Sequence, residues 1–237
     1  MLRVRDLTLA LGGEQQAYRI ELPHLVLEAG QAMAITGASG SGKTTLLQAL
    51  GLMQRPESLG EFSLGDPGVD LSADVLHGRQ KRLARMRSQH IGFVLQTGGL
   101  LPFLSARENI MLPRRRLGLP VQTDTLADAM DRLDVGHLMD RLPSTLSVGQ
   151  RQRVCCLRAL AHEPGLVLAD EPTAALDPVR AHAVFALLLE LARDRACALL
   201  VVTHDEPLVR AFDLPVVRAH TGGSRTVFES SPQAQCA

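Results

Sequence analysis

The chain has 237 residues, 46% of them hydrophobic, and 25 Lys plus Arg against 25 Asp plus Glu give a net charge of zero. That length fits one large domain or two small ones with a sizeable core, and the balanced charge, with a pI near 7.1, excludes bulk attraction to nucleic acid or an anionic membrane. No apolar run approaches the ~18 residues of a membrane-spanning helix. The opening MLRVRDLTLA alternates like a strand and lacks a signal-peptide core.

The first 30 residues alternate apolar and polar, in LRVRDLTLAL and then AYRIELPHLVLEAG, with GGEQQ (12–16) as the turn of a small antiparallel sheet. QAMAIT (31–36) reads as a buried strand and TTLLQALGLM (44–53) as a helix with an apolar face. Residues 55–70 are turn-rich and strand-like, and 72–90 read as an Arg-rich helix entering the short strand IGFVLQ (91–96). The character changes over 97–150. Apolar patches there mix with prolines, and 123–143 follow helical spacing through Leu126, Met130, Leu133 and Leu138. This predicts a helical insertion.

Beyond it come a helix over 149–161 stopped by Pro164–Gly165, the strand LVLAD (166–170), a helix over 178–195 and a strand over 198–205. Strand-like LPVVRAH (214–220) and RTVFES (225–230) follow, and the tail from 231 reads as frayed. Strands alternating with helices predict an α/β fold with a mostly parallel sheet covered on both faces. Cys155, Cys156, Cys197 and Cys236 show no metal or redox spacing, which fits a soluble chain in a reducing cytosol. Two basic clusters, Arg79 to Arg87 on helical spacing and the Arg114–Arg116 loop triplet, read as a solvated face or a partner surface. No nucleic-acid partner is expected. Any membrane association would come through another protein.

GASGSGKT (37–44) fits G-x-x-x-x-G-K-[ST] between a strand and a helix. Successive backbone N–H groups and the helix N-terminus of such a loop form an anion-sized nest. Lys43 would then reach the β- and γ-phosphates of a nucleoside triphosphate, and the Thr44 hydroxyl would hold Mg²⁺. LVLADEP ends a strand in Asp170, placed to share the hydrated metal with Thr44, and Glu171 follows where it can orient and polarise an attacking water. In LSVGQRQRV (146–154), Ser147, Val148, Gly149 and Gln150 begin a helix and make a second anion site. One triphosphate has one γ-phosphate, already enclosed by the P-loop. The second site is therefore most useful against the nucleotide of another copy.

These motifs resemble the ATPase subunits of ABC transporters. Walker A (37–44), the Q-loop Gln96, the signature LSVGQ (146–150), Walker B (166–171), the D-loop AALD (174–177) and the switch histidine His204 stand in order, and the match covers 1–220. QTGGLLPFLSARENIMLP and RQRVCCLRALAHEPGLVLADEPTAALD resemble the LolD/MacB/FtsE branch, whose ATPases pair with FtsX-like permeases. The resemblance implies one domain over 1–230. It consists of a RecA-like core (1–96 and 151–230), an N-terminal antiparallel β subdomain and an inserted helical subdomain over 97–150, with a tail at 231–237.

It further implies that two copies sandwich two ATP molecules with Mg²⁺. The phosphates would lie between Gly37, Ala38, Ser39, Gly40, Ser41, Gly42, Lys43, Thr44 and Thr45 of one copy and Ser147, Gly149 and Gln150 of the other. Gln96 would join Thr44 and Asp170 around the metal and sense the permease, which would dock near Gln96–Leu112. His204 would contact the γ-phosphate, and Asp177 would bridge the copies. The implied location is cytoplasmic, peripheral on the inner membrane, and the implied work is lipoprotein extraction or export.

Three positions depart from the family pattern. Val148 stands where glycine is common, and Ala174 where serine is usual. Tyr18, the sole tyrosine, is the aromatic nearest the position that stacks on adenine, and it fits equally a strand residue packed on the β subdomain; Ala10 or Leu11 is the alternative occupant. Two other functions fit parts of the pattern. One is an ATPase that regulates a periplasmic enzyme or a secretion-system signalling complex without transport. The other is a soluble ABC protein acting on ribosomes or DNA, which usually carries two ATPase domains or a long coiled-coil insertion absent from this sequence.

Overall fold

The computed structural model describes residues 1–12, 17–65 and 68–230. Among the described residues ten strands form one mixed sheet: β1 (Leu2–Leu11), β2 (Tyr18–Leu27), β3 (Ala32–Thr36), β4 (Glu61–Leu64), β5 (Val69–Asp70), β6 (Ile91–Val94), β7 (Leu166–Asp170), β8 (Ala198–Val202), β9 (Val216–Gly222) and β10 (Arg225–Ser230). Their order is β5-β4-β1-β2-β10-β9-β3-β8-β7-β6. The half from β9 to β6 is parallel, and the pairs β1–β2, β1–β4 and β4–β5 are antiparallel. This is the expected division into a parallel core and an antiparallel N-terminal sheet. Most of the expected turn at 12–16, the expected tail and Cys236 lie outside the described residues.

The parallel strands are apolar throughout because both faces are covered. In β7, Leu166 and Leu168 face one core, while Val167 and Ala169 face the other. The helix α1 (Lys43–Leu50) covers the first face; α4 (Ala106–Leu117), α6 (Val148–Leu160) and α7 (Pro178–Asp194) cover the second. In β1 the alternation slips: Leu2 and Val4 are buried, then Leu7 and Leu9, with Asp6 between them at φ 52. One left-handed residue resets which face the strand presents.

Three local readings are corrected. The Arg-rich stretch is two helices, α2 (Ser72–Leu76) and α3 (Gln80–His90), broken where Gly78 adopts φ 62. Arg79 and Arg82 pair with the buried Asp74, and Arg87 donates to the Leu52 carbonyl. The helix expected over 123–143 ends early, as α5 (Asp124–Arg132), and short 3-10 turns at 136–138 and 143–145 follow Asp134 at φ 47. A further short helix, α8 (Glu206–Ala211), follows β8.

The third correction concerns Arg114–Arg116, which form the last turn of α4 rather than a loop. Arg114 is 2% exposed. Its guanidinium donates to the carbonyls of Pro120 (2.6 Å) and Ala161 (2.6 Å) and to Glu163 (3.0 Å), and this contact holds the Glu163 carboxyl below its ordinary range. Arg114→Met keeps the volume but strips two carbonyls of their donor. The expected loss is about 3 kcal/mol, read as a fall in thermal midpoint of roughly 10 °C.

Among the described residues no helix is long and apolar enough to cross a membrane. Cys155, Cys156 and Cys197 are free thiols in the core.

Candidate nucleotide site

The P-loop follows β3 and opens α1. Gly37 and Gly42 are required by contact as well as by dihedral angle. A Cβ on Gly37 (φ 153) would sit 2.5 Å from Ala219 Cβ, and one on Gly42 (φ 89) would overlap the Ile20 side chain. The sheet thus packs directly behind the loop, leaving its other side to the cleft. Ser41 faces inward with its hydroxyl buried. Lys43 crosses the loop and donates from Nζ to the carbonyls of Gly37 and Ala38, both at 2.8 Å.

A cleft of about 740 Å³ opens here, lined by Gly37, Ala38, Ser39, Gly40, Gly42, Lys43, Thr44, Thr45, Gln96, Asp170, Glu171 and His204, with Leu11 and Val202. Four chain segments far apart in sequence therefore meet at the C-terminal ends of the parallel strands, the usual ligand position of such sheets. Thr44 Oγ1 donates to Asp170 Oδ1 at 3.3 Å. Burial at the strand end pushes the Asp170 carboxyl above its ordinary range, and Glu171 beside it adds to this, against the Thr44 bond and the Lys43 charge. A carboxylate, a hydroxyl and the Gln96 amide make an all-oxygen donor set that fits Mg²⁺.

Glu171 holds a left-handed backbone, φ 48, fixed by its N–H donating to the Val202 carbonyl at 2.9 Å. Its Oε1 meets His204 Nδ1 at 2.8 Å. The sequence placed both residues at the site without foreseeing that they touch. A non-glycine residue in this conformation stores strain of about 1–3 kcal/mol, a pattern common at active sites.

Ser147, Gly149, Gln150 and Asp177 are not among the residues lining this cleft. Ser147 caps α6, accepting from Gln150 N at 3.3 Å while the Gln150 side chain accepts from Ser147 N at 2.9 Å, a full capping box. Val148 is the first helical residue, 41% exposed, with no left-handed backbone to strain its β-branched side chain. Asp177 caps α7, accepting from Arg180 N.

Tyr18 also lies outside the lining. Its hydroxyl bonds Thr226 Oγ1 at 2.5 Å and its ring packs on the β-sheet core, whereas Leu11, directly across the ladder, reaches the cleft. Val202 is a lining residue that sequence reasoning missed. Its signal was its place at the end of the strand that delivers His204.

With this geometry in hand, the family profile described as ABC transporter matches residues 22–174, well over half of the chain. The chain belongs to the ABC transporter family. It is similar to the lipoprotein-releasing system ATP-binding protein LolD of Shewanella denitrificans, with 43% identity over 197 residues and 81% of each chain covered. Among solved structures it is similar to the dimeric MJ0796 ABC transporter cassette, with a TM-score of 0.77 and 28% identity over 92% of this chain and 94% of that one. It also matches a dimeric post-hydrolysis state of MJ0796 bound to ADP and Pi, with a TM-score of 0.78 and 27% identity over 95% and 96% of the two chains. The protein is thus an ATP-binding cassette that binds and hydrolyses ATP, and its mixed ten-stranded sheet is the fold of that family.

Proposed function

We propose that this cassette works as a homodimer closed around two ATP molecules and drives an FtsX-like permease in lipoprotein release, as a LolD-type subunit on the cytoplasmic face of the inner membrane. The observation that carries the dimer is the separation of the two anion sites. The P-loop lines the cleft, while the start of α6 lies outside it, with Ser147 exposed and Gly149 half-buried. A helix start with free N–H groups and an anionic ligand attract, and a second copy would supply that ligand.

Within each site Lys43 and the loop N–H groups would bind the β- and γ-phosphates. Thr44, Asp170 and Gln96 would hold Mg²⁺, which supplies charge neutralisation of the phosphate oxygens. Glu171 would accept a proton from the attacking water. His204, in contact with Glu171, would orient that carboxylate and face the γ-phosphate. Asp177 would bridge the copies, and Leu11 would give the base an apolar wall, with Tyr18 behind it.

The permease surface is read near Gln96–Leu112, where Leu95, Phe103 and Leu112 expose apolar side chains, Phe103 at 74%. The LolD-like identity supports lipoprotein release as the work. Affinity purification of the cassette from detergent-solubilised membranes tests this. A multi-spanning permease with a large periplasmic domain is expected, together with lipoproteins retained in the inner membrane after depletion. Recovery of a ribosomal or other soluble assembly instead, or a depletion that silences a periplasmic enzyme while lipoproteins leave normally, would overturn it.

A further inference from the structure

Two side chains on one face of α6 grip the main chain just after Gln96. Cys155 Sγ donates to the Gly98 carbonyl at 3.1 Å; Arg158 donates from Nη2 to the same oxygen at 2.9 Å and from Nη1 to the Gly99 carbonyl at 2.5 Å. Cys155 is fully buried, and burial pushes its thiol up to about 11, so it remains a protonated donor. Gly98 and Gly99 are both left-handed, at φ 78 and φ 59, and a Cβ on Gly98 would lie 2.9 Å from Cys155 Sγ. The turn is therefore shaped to lie against α6. It is closed by Gly98 N donating to the Leu95 carbonyl at 2.8 Å, which puts Gln96 inside it.

Ordinary helix-to-loop packing does not call for a guanidinium forked over two successive carbonyls. A planar fork fixes position and direction together, which a lysine cannot do. The turn gripped this way carries, two residues before Gly98, the one side-chain amide that shares the cleft with Thr44 and Asp170.

We propose that Arg158, assisted by Cys155, is a positioning residue that sets where the Gln96 amide stands relative to the metal donors Thr44 and Asp170. The same rigid helix is capped by Ser147, roughly 16 Å away at 1.5 Å per residue, so α6 indexes the metal side of one site and the phosphate-facing end offered to the other. The inference rests on Gln96 belonging to the metal shell.

The test uses Mn²⁺ as probe, with the Glu171→Gln protein loaded with ATP and free Mn²⁺ read by electron paramagnetic resonance. Gln96→Ala weakens Mn²⁺ binding, and Arg158→Gln weakens it to a similar degree, roughly 10-fold. Arg158→Lys, which keeps the charge and one bond, falls between and guards against a variant that fails to fold. Gln96→Ala with Arg158→Gln binds Mn²⁺ no more weakly than Gln96→Ala alone, because one acts through the other. Additive losses in the double variant, or unchanged Mn²⁺ affinity in Arg158→Gln and Arg158→Lys while Gln96→Ala weakens it, overturn the inference. Unchanged affinity in Gln96→Ala removes the reading of Gln96 itself, and the inference with it.

Discussion

Glu171→Gln is expected to lower ATP turnover by roughly 10²- to 10⁴-fold, the range typical of losing a positioned general base, while ATP still binds. The glutamine amide has the same shape and can still hydrogen-bond the His204 ring, so the 2.8 Å contact and the φ 48 backbone are not the things removed. Only the proposed proton acceptor is lost. With hydrolysis blocked, the ATP-bound cassette should run as a dimer in size-exclusion chromatography and return to monomer when ATP is withdrawn. Turnover within a few-fold of the unmodified protein would take Glu171 out of the chemistry.

Adding Gly149→Asp to that variant is expected to abolish the dimer without abolishing ATP binding, and Gly149→Asp alone should lower turnover at least ~10²-fold, comparable to losing one transition-state donor. A Cβ at Gly149 meets only Leu176 Cδ2, at an ordinary 3.7 Å, and the position has no left-handed backbone. The monomer accommodates the change. What it adds is a carboxylate at a helix start proposed to receive a phosphate from another copy, where like charge opposes closure. Nucleotide-dependent dimers from the double variant would show that this helix start does not meet the partner's ATP.

Much of the site was legible because each motif is local. β7 spans Leu166–Asp170 as read, and β10 spans Arg225–Ser230 as read. The P-loop's surroundings were fixed by a run of apolar residues on one side and helical spacing on the other. What could not be read depends on contacts across the chain. Arg114 looks like surface charge in an RRR triplet, yet its acceptors at Ala161 and Glu163 lie almost 50 residues on, in the turn after α6. The Glu171–His204 contact joins residues just past the ends of the adjacent strands β7 and β8, and no local pattern encodes it. The early end of α5 was hidden because leucines continue at helical spacing past Asp134, whose left-handed backbone interrupts the helix. α8 was missed although Asp205 as N-cap and Pro207 in the first turn are a readable start signal.

The region between the Q-loop and α6 is assembled around two buried polar side chains as well as its leucines. Asn109, fully buried, accepts from Leu101 N and donates to the carbonyls of Leu101, Leu104 and Ser105, and Arg114 closes the far end of the same helix onto Pro120 and Ala161. Apolar packing tolerates many arrangements of similar volume, whereas a directional network admits one. An all-aliphatic redesign of these two positions would therefore keep a collapsed, helical region but give up its single register, and with it the fixed placement of Phe103 at the surface.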